Sequence, residues 1–130
     1  MIYGIGVDIV EVVRIERAWE RWGQRFAEKI LGDTELRQFA QSRRPVRFLS
    51  MRFAAKEAAS KAFGTGFKQG VSPRQIEVQH NSAGKPSLVF SHNVAKLATR
   101  EGIEASYVSM ADETEYAIAY AVLETSAVRT

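Results

Sequence analysis

"RFAAKEAASKAFGTG", residues 52 to 66, is the stretch around which the rest of the chain is organised. It is alanine-rich, places Glu57 and Lys61 four residues apart, and stops at Gly64-Thr65-Gly66. That pattern predicts a helix, and Pro45 upstream suits its first turn. Wound at about 100° per residue, residues 46 to 63 sort into two faces. Phe48, Met51, Ala55, Ala59, Ala62 and Phe63 gather on one side, the expected packed face. Arg47, Ser50, Ala54, Glu57 and Lys61 fall on the other, with Gly64 just beyond the end.

The second face has two readings. As solvated surface it carries a Glu-to-Lys pair worth about 0.3–0.5 kcal/mol. As a site it explains two further features. Ser50 and Ala54 are small where an exposed face usually carries long polar residues. The following "GTGFKQG" offers backbone N–H groups free of side chains, and such turns form anion-binding concavities. The turn is neither a P-loop nor a dinucleotide fingerprint.

Working towards the N-terminus, "TELRQFAQS" predicts a short helix capped by Thr34. Before it, Val12, Ile15, Trp19, Trp22 and Phe26 form one apolar stripe, which Gly23 breaks or bends. "DIVE" matches a capping box, with Asp8 as N-cap and Glu11 at the third helical position. "IYGIGV" reads as a short buried strand whose glycines allow close backbone approach. Towards the C-terminus, "QIEVQ" and "SLVFS" flank the turn signal "HNSAGKP" and predict a β-hairpin. "HNVAKLATREG" predicts a helix closed by Gly102, and "EASYVSMA" and "YAIAYAVLE" two strands joined by "DETE". There is no repeat, low-complexity tract or linker. The expectation is one α+β domain over residues 1–130, a small antiparallel-rich sheet packed on a long central helix and shorter helices.

With 130 residues the chain can bury a core without staples. It has no cysteine, which excludes disulfides, thiolate catalysis and zinc-thiolate sites. The apolar N-terminus is short, lacks a basic flank and is broken by Asp8, so it is not read as a signal peptide. No segment is long and apolar enough to span a membrane, and a cytoplasmic protein is expected. The net charge of +3 favours an anionic partner without choosing one.

Asp8 has a second reading besides the cap. At the end of a strand it points into whatever cleft lies there, and with Glu57 it would make a two-carboxylate Mg²⁺ site. Spacing alone does not bring residues 8 and 57 together. His80 and His92 lie near no serine or carboxylate motif and are assigned no chemistry.

"GIGVDIVEVVRI" (4 to 15) together with "RFAAKEAASKAFGTG" resembles the holo-acyl-carrier-protein synthases, the small bacterial phosphopantetheinyl transferases. "GKPSLVF" and "VSMADETEYAIAYAVLE" match in order, so the likeness covers nearly the whole chain. It implies transfer of 4′-phosphopantetheine from coenzyme A to a serine of an acyl carrier protein, leaving adenosine 3′,5′-bisphosphate. It implies further that Asp8 and Glu57 hold Mg²⁺ on the pyrophosphate and that Lys61 reaches the same phosphates. Arg47, Arg52, Gly64 and Gly66 are the other expected coenzyme A contacts. The serine proton then has two acceptors, Glu57 or a metal-bound water, and the sequence does not choose between them. The helix alanines are expected to leave room for substrate.

Arg52 falls on the side of the helix away from Glu57. By itself it reads as a surface arginine whose stem lies along the protein. The family's homotrimers, with active sites between subunits, would instead let it serve a neighbour's coenzyme A. Many members carry Ser-His near the end of the penultimate strand where this chain has Ala111-Asp112, which leaves that contribution to coenzyme A binding absent or replaced.

Arg14, Arg17, Arg21 and Arg25 recur beside the apolar stripe. With Glu16 and Glu20 between them they read as a solvated face, or, on the resemblance, as a dock for the acidic carrier protein. A non-catalytic nucleic-acid-binding module on this stripe is the alternative from another class. Such a surface would more typically add exposed aromatics or a larger charge excess, so carrier-protein docking is preferred and no nucleic-acid or membrane partner is expected.

Overall fold

Strand and helix formers alternate along the chain, and the computed structural model describes residues 1–126. The order is β1 (Ile2–Glu11), α1 (Val12–Trp22), α2 (Gln24–Ile30), α3 (Asp33–Phe39), α4 (Pro45–Phe63), β2 (Ile76–His80), β3 (Pro86–Phe90), α5 (His92–Arg100), β4 (Ile103–Asp112) and β5 (Tyr116–Thr125). The strands form two antiparallel sheets, a three-stranded one ordered β1-β5-β4 and the β2-β3 hairpin. The α+β expectation with a long central helix holds, with the strands divided between two sheets. No helix among the described residues is long and apolar enough to cross a membrane.

Side-chain parity sets how the larger sheet meets α4. Along β1 the even positions face the helix, and there Gly4 and Gly6 lie over the carbonyls of Ala62 and Ala58. A Cβ on either glycine would collide with those oxygens. β5 adds the buried Ala117, Ala119 and Ala121. Small residues on both partners let backbone approach backbone.

Ser50 and Ala54 are therefore buried in the packed interior rather than on an open face. The alanines make room for the sheet, where room for substrate was expected. Leu49, Ala55, Ala58, Ala59 and Ala62 complete a helix enclosed on most sides. A two-face sorting fails for such a helix because alanine fits either side.

The strand over "IYGIGV" is also longer and less buried than expected. Ile5, Val7 and Ile9 are exposed, as are Tyr116, Ile118 and Tyr120 on β5, and they share the far face of the sheet. β1 pairs with β5 as far as Glu11 opposite Tyr116, which keeps the backbone extended past Asp8. α1 consequently starts at Val12 with Glu11 at its N-cap and no side-chain cap, so Asp8 caps nothing.

Gly23, at φ 55°, ends α1 and makes α2 a separate helix. Ile15 is buried, and Trp19 packs edge-on against Phe39 at 5.3 Å between ring centroids. Trp22, at the end of α1, is half exposed and leaves the stripe. α3 starts one residue before Thr34, at Asp33. The N–H of its N-cap Gly32 donates to Glu35 Oε1, so Thr34 is not the cap.

Candidate functional site

The parity that turns Gly6 to the helix turns Asp8 the same way, to the point where β1 passes the last turns of α4. Lys61 Nζ donates to Asp8 Oδ1 at 3.1 Å and to the Val7 carbonyl at 3.0 Å. Glu57 lies one turn earlier on α4, and Asp8, Glu57 and Lys61 line one concavity of about 540 Å³ with Arg14, Phe53 and Tyr116. The three residues named from sequence thus meet, although 49 and more residues separate Asp8 from the others.

Charge is unbalanced there. Burial, and then the neighbouring Asp8 carboxylate, push the Glu57 carboxyl above its ordinary value, while Lys61 pulls it back. Two carboxylates sharing one concavity, one of them held above its ordinary value by the other's charge, suit a divalent cation. Among the described residues no group of three or more His, Cys, Asp or Glu is gathered for a metal. Two carboxylates are the donor set Mg²⁺ commonly takes when phosphate and water complete its shell, so the residues fit that ion and not a fully protein-ligated one.

Gly64 closes α4 in the left-handed conformation at φ 84°, and Gly66 follows at φ 60°. Their N–H groups are not the open cradle expected. Gly64 N–H donates to Lys61 O at 2.9 Å, and the N–H groups of Thr65 and Gly66 both donate to Ser60 O at 3.2 Å. The helix's own orphan carbonyls take these donors. What both glycines leave is space, since a Cβ on either would meet nothing within 4 Å.

Arg47 does not join this concavity. Ten residues before Glu57, it lies about 15 Å away along the helix axis. Its Nε and Nη2 donate to the two Asp112 oxygens at 2.8 and 3.1 Å. That bidentate pair is what Asp112 does at the end of β4.

Arg52 is no surface arginine. It is 8% exposed, with its guanidinium 3.8 Å from the Phe48 ring centroid and its Nε 3.5 Å from Glu35 Oε2. It lines a separate concavity of about 330 Å³ with Arg43, Arg44, Arg47 and His80. Burial and then the Arg52 charge hold His80 below the ordinary histidine value. Nothing in the hairpin sequence signals that His80 meets this arginine cluster, because the meeting depends on how the hairpin packs.

Arg14, Arg17 and Arg21 lie exposed along α1, and Arg21 stacks over Trp22 at 4.9 Å. Arg14 reaches the edge of the Asp8–Glu57–Lys61 concavity. Arg25 belongs to α2 and lines an adjacent groove with Trp22, Phe26 and Lys29.

Residues 4–121 match the 4′-phosphopantetheinyl transferase superfamily. The chain belongs to that family. The holo-[acyl-carrier-protein] synthase of Halorhodospira halophila is 53% identical over 125 residues, which are 96% of this chain and 99% of the relative. The crystal structure of the holo-[acyl-carrier-protein] synthase of Neisseria meningitidis superposes with a TM-score of 0.92 at 44% identity, covering 96% of this chain and all of that one. The Bacillus anthracis holo-(acyl-carrier-protein) synthase, solved in complex with CoA (3′,5′-ADP), superposes with a TM-score of 0.80 at 38% identity. That match covers 97% of this chain and 99% of the other.

Proposed function

We propose that the protein transfers 4′-phosphopantetheine from coenzyme A to a serine of an apo acyl carrier protein, in the cytoplasm. The serine oxygen gives up its proton, to Glu57 or to water, and bonds to the phosphorus bearing the pantetheine arm, while the bond from that phosphorus to adenosine 3′,5′-bisphosphate breaks and its electron pair leaves with the bisphosphate. The observation that carries the reading is the convergence of Asp8, Glu57 and Lys61 on one concavity in a chain of this family. Phosphoryl-type transfer asks a protein mainly for position and charge neutralisation, and these residues supply both.

Asp8 and Glu57 would hold Mg²⁺. When bound, the ion neutralises and orients the pyrophosphate. Lys61 exchanges its contact with Asp8 for a phosphate oxygen and offsets charge as the leaving group departs. Gly64 and Gly66 keep the surface just beyond Lys61 free of side chains.

The working unit is a homotrimer with sites between subunits. Ile5, Val7, Ile9, Ile118 and Tyr120 supply the exposed apolar sheet face that such an assembly covers. Arg52 and Arg47, distant from their own chain's Glu57, then serve the coenzyme A of a neighbour. Arg14, Arg17, Arg21 and Arg25 dock the acidic carrier protein.

Mass spectrometry of apo carrier protein incubated with the protein, coenzyme A and Mg²⁺ tests the reading. Gain of one phosphopantetheine on a serine is expected, and a carrier protein left at its apo mass overturns it.

A further inference from the structure

Behind Arg52 lies a buried ion cluster that the transfer reaction as described does not use. Glu35 and Lys56 are both fully buried. Lys56 Nζ donates to Glu35 Oε1 at 2.6 Å and to the carbonyls of Pro73 and Ile76 at 2.9 and 2.6 Å, which occupies all three of its protons. Glu35 also accepts the N–H groups of Gly32 at 3.0 Å and Val78 at 2.9 Å. These neighbours fix the carboxylate's place between α3, α4 and β2.

The remaining neighbour is Arg52. Its Nε faces Glu35 Oε2 at 3.5 Å, too far for a hydrogen bond, and is a buried nitrogen without a hydrogen-bond partner. Its Nη2 makes only a long bond to Gln38 Oε1 at 3.4 Å. Charge from Glu35 on one edge and the Phe48 ring on one face hold the guanidinium, and it lines the concavity with Arg43, Arg44 and His80. Buried ion clusters are poor sources of stability, since well-packed apolar residues of similar volume often serve as well or better. The arrangement acquires a reason if Arg52 must be held in one pose for an anion.

We propose that Glu35, anchored by Lys56, is a positioning residue that holds Arg52 ready for a phosphate group of the coenzyme A bound by the neighbouring subunit. This rests on the reading of Arg52 as a coenzyme A residue, and the experiment separates the two. Arg52→Ala should raise the Michaelis constant for coenzyme A about tenfold while that for carrier protein stays unchanged, as loss of one charge-assisted contact predicts. Glu35→Met with Lys56→Met removes the carboxylate and its buried counter-charge together, so the net charge of the core is unchanged, while the Gly32 and Val78 N–H groups and the Pro73 and Ile76 carbonyls lose their side-chain partners. That pair should raise the coenzyme A constant about fivefold or more, leave kcat within about twofold, and add nothing further in an Arg52→Ala background.

If Arg52→Ala raises the constant and the Glu35–Lys56 pair does not, or if their effects multiply, the positioning role is overturned. If Arg52→Ala changes nothing, the reading of Arg52 falls and this role with it. A second measurement uses the unaltered protein and does not depend on the variants folding. The Arg52 Nε–H resonance should be a single, slowly exchanging peak before and after adenosine 3′,5′-bisphosphate is added. A fast-exchanging, averaged peak in the free protein would mean that Glu35 does not hold the guanidinium.

Discussion

Lys61 Nζ stands 3.1 Å from Asp8 Oδ1, joining the last turns of α4 to the middle of β1 across 53 residues of sequence. The ammonium is half exposed and Asp8 is largely covered, so the lysine is the partner free to swing towards a substrate. Lys61→Met keeps the length and removes the charge. It should lower kcat by about 10²-fold with a much smaller change in coenzyme A binding, the mark of an interaction strengthened in the transition state. Steady-state kinetics alongside calorimetric coenzyme A binding checks this, and weaker binding at unchanged kcat would reduce Lys61 to a ground-state contact.

The Glu57 carboxyl sits above its ordinary value of 4.5, through burial first and Asp8 second. The folded protein thus binds this proton more tightly than the unfolded chain does, and ionising Glu57 costs stability. That cost is absent below 4.5, grows as pH rises through that value, and is complete once pH passes the raised folded value. Glu57→Gln should accordingly raise Tm in metal-free buffer at neutral pH and lose the gain as pH falls below 4.5. Melting curves across that range decide it, since a gain independent of pH would have another cause.

Gly6 faces the Ala58 carbonyl with no room for a Cβ. Gly6→Ala must part β1 from α4 or distort one of them, at the upper end of overpacking costs, about 3 kcal/mol or more. Denaturant midpoints at constant slope measure the loss. A variant as stable as the parent would show that the two backbones separate freely.

On the proposed reading the exposed arginines of α1 serve the carrier protein, and Arg14 alone of them also borders the Asp8 concavity. Arg14→Glu or Arg21→Glu should raise the Michaelis constant for carrier protein about tenfold and flatten its salt dependence. The coenzyme A constant should stay the same for Arg21→Glu, which lies further from the Asp8 concavity. Charge reversals that leave carrier-protein kinetics untouched would return the stripe to solvated surface.

Arg52 and Glu57 of one chain line different concavities. Arg52→Ala and Glu57→Ala subunits, each assayed alone at coenzyme A well below saturation, should be weak. Mixed under conditions that allow subunit exchange, they should give more activity than the sum of the two, because on the proposed reading hybrid trimers would contain intact sites. Activity equal to the sum, or a fully active monomer by light scattering, would end the interfacial reading.

Local chemistry made much of this protein legible in its sequence. Pro45 and Gly64 bound α4 as read, because a fixed φ at a first turn and a left-handed residue after a last turn need no distant partner. The β2-β3 hairpin follows its turn residues for the same reason. Asp8, Glu57 and Lys61 came from two long motifs read together, and the structure places them at one concavity.

Tertiary structure decided whatever depended on a distant partner. Asp8 had local credentials as a cap, yet β5 residues more than a hundred positions away extend the ladder through it and make it a strand residue. Ser50 and Ala54 carry no amphipathic signal strong enough to show that packing encloses them. The N–H groups of Gly64 and Gly66 look free on paper, but the end of α4 needs them for its own carbonyls. Arg47 finds Asp112 across 65 residues, and Arg52 is drawn inward by a glutamate on another helix. Propensity, capping and turn chemistry act within a few residues. Burial and ion pairing are settled only when distant segments meet.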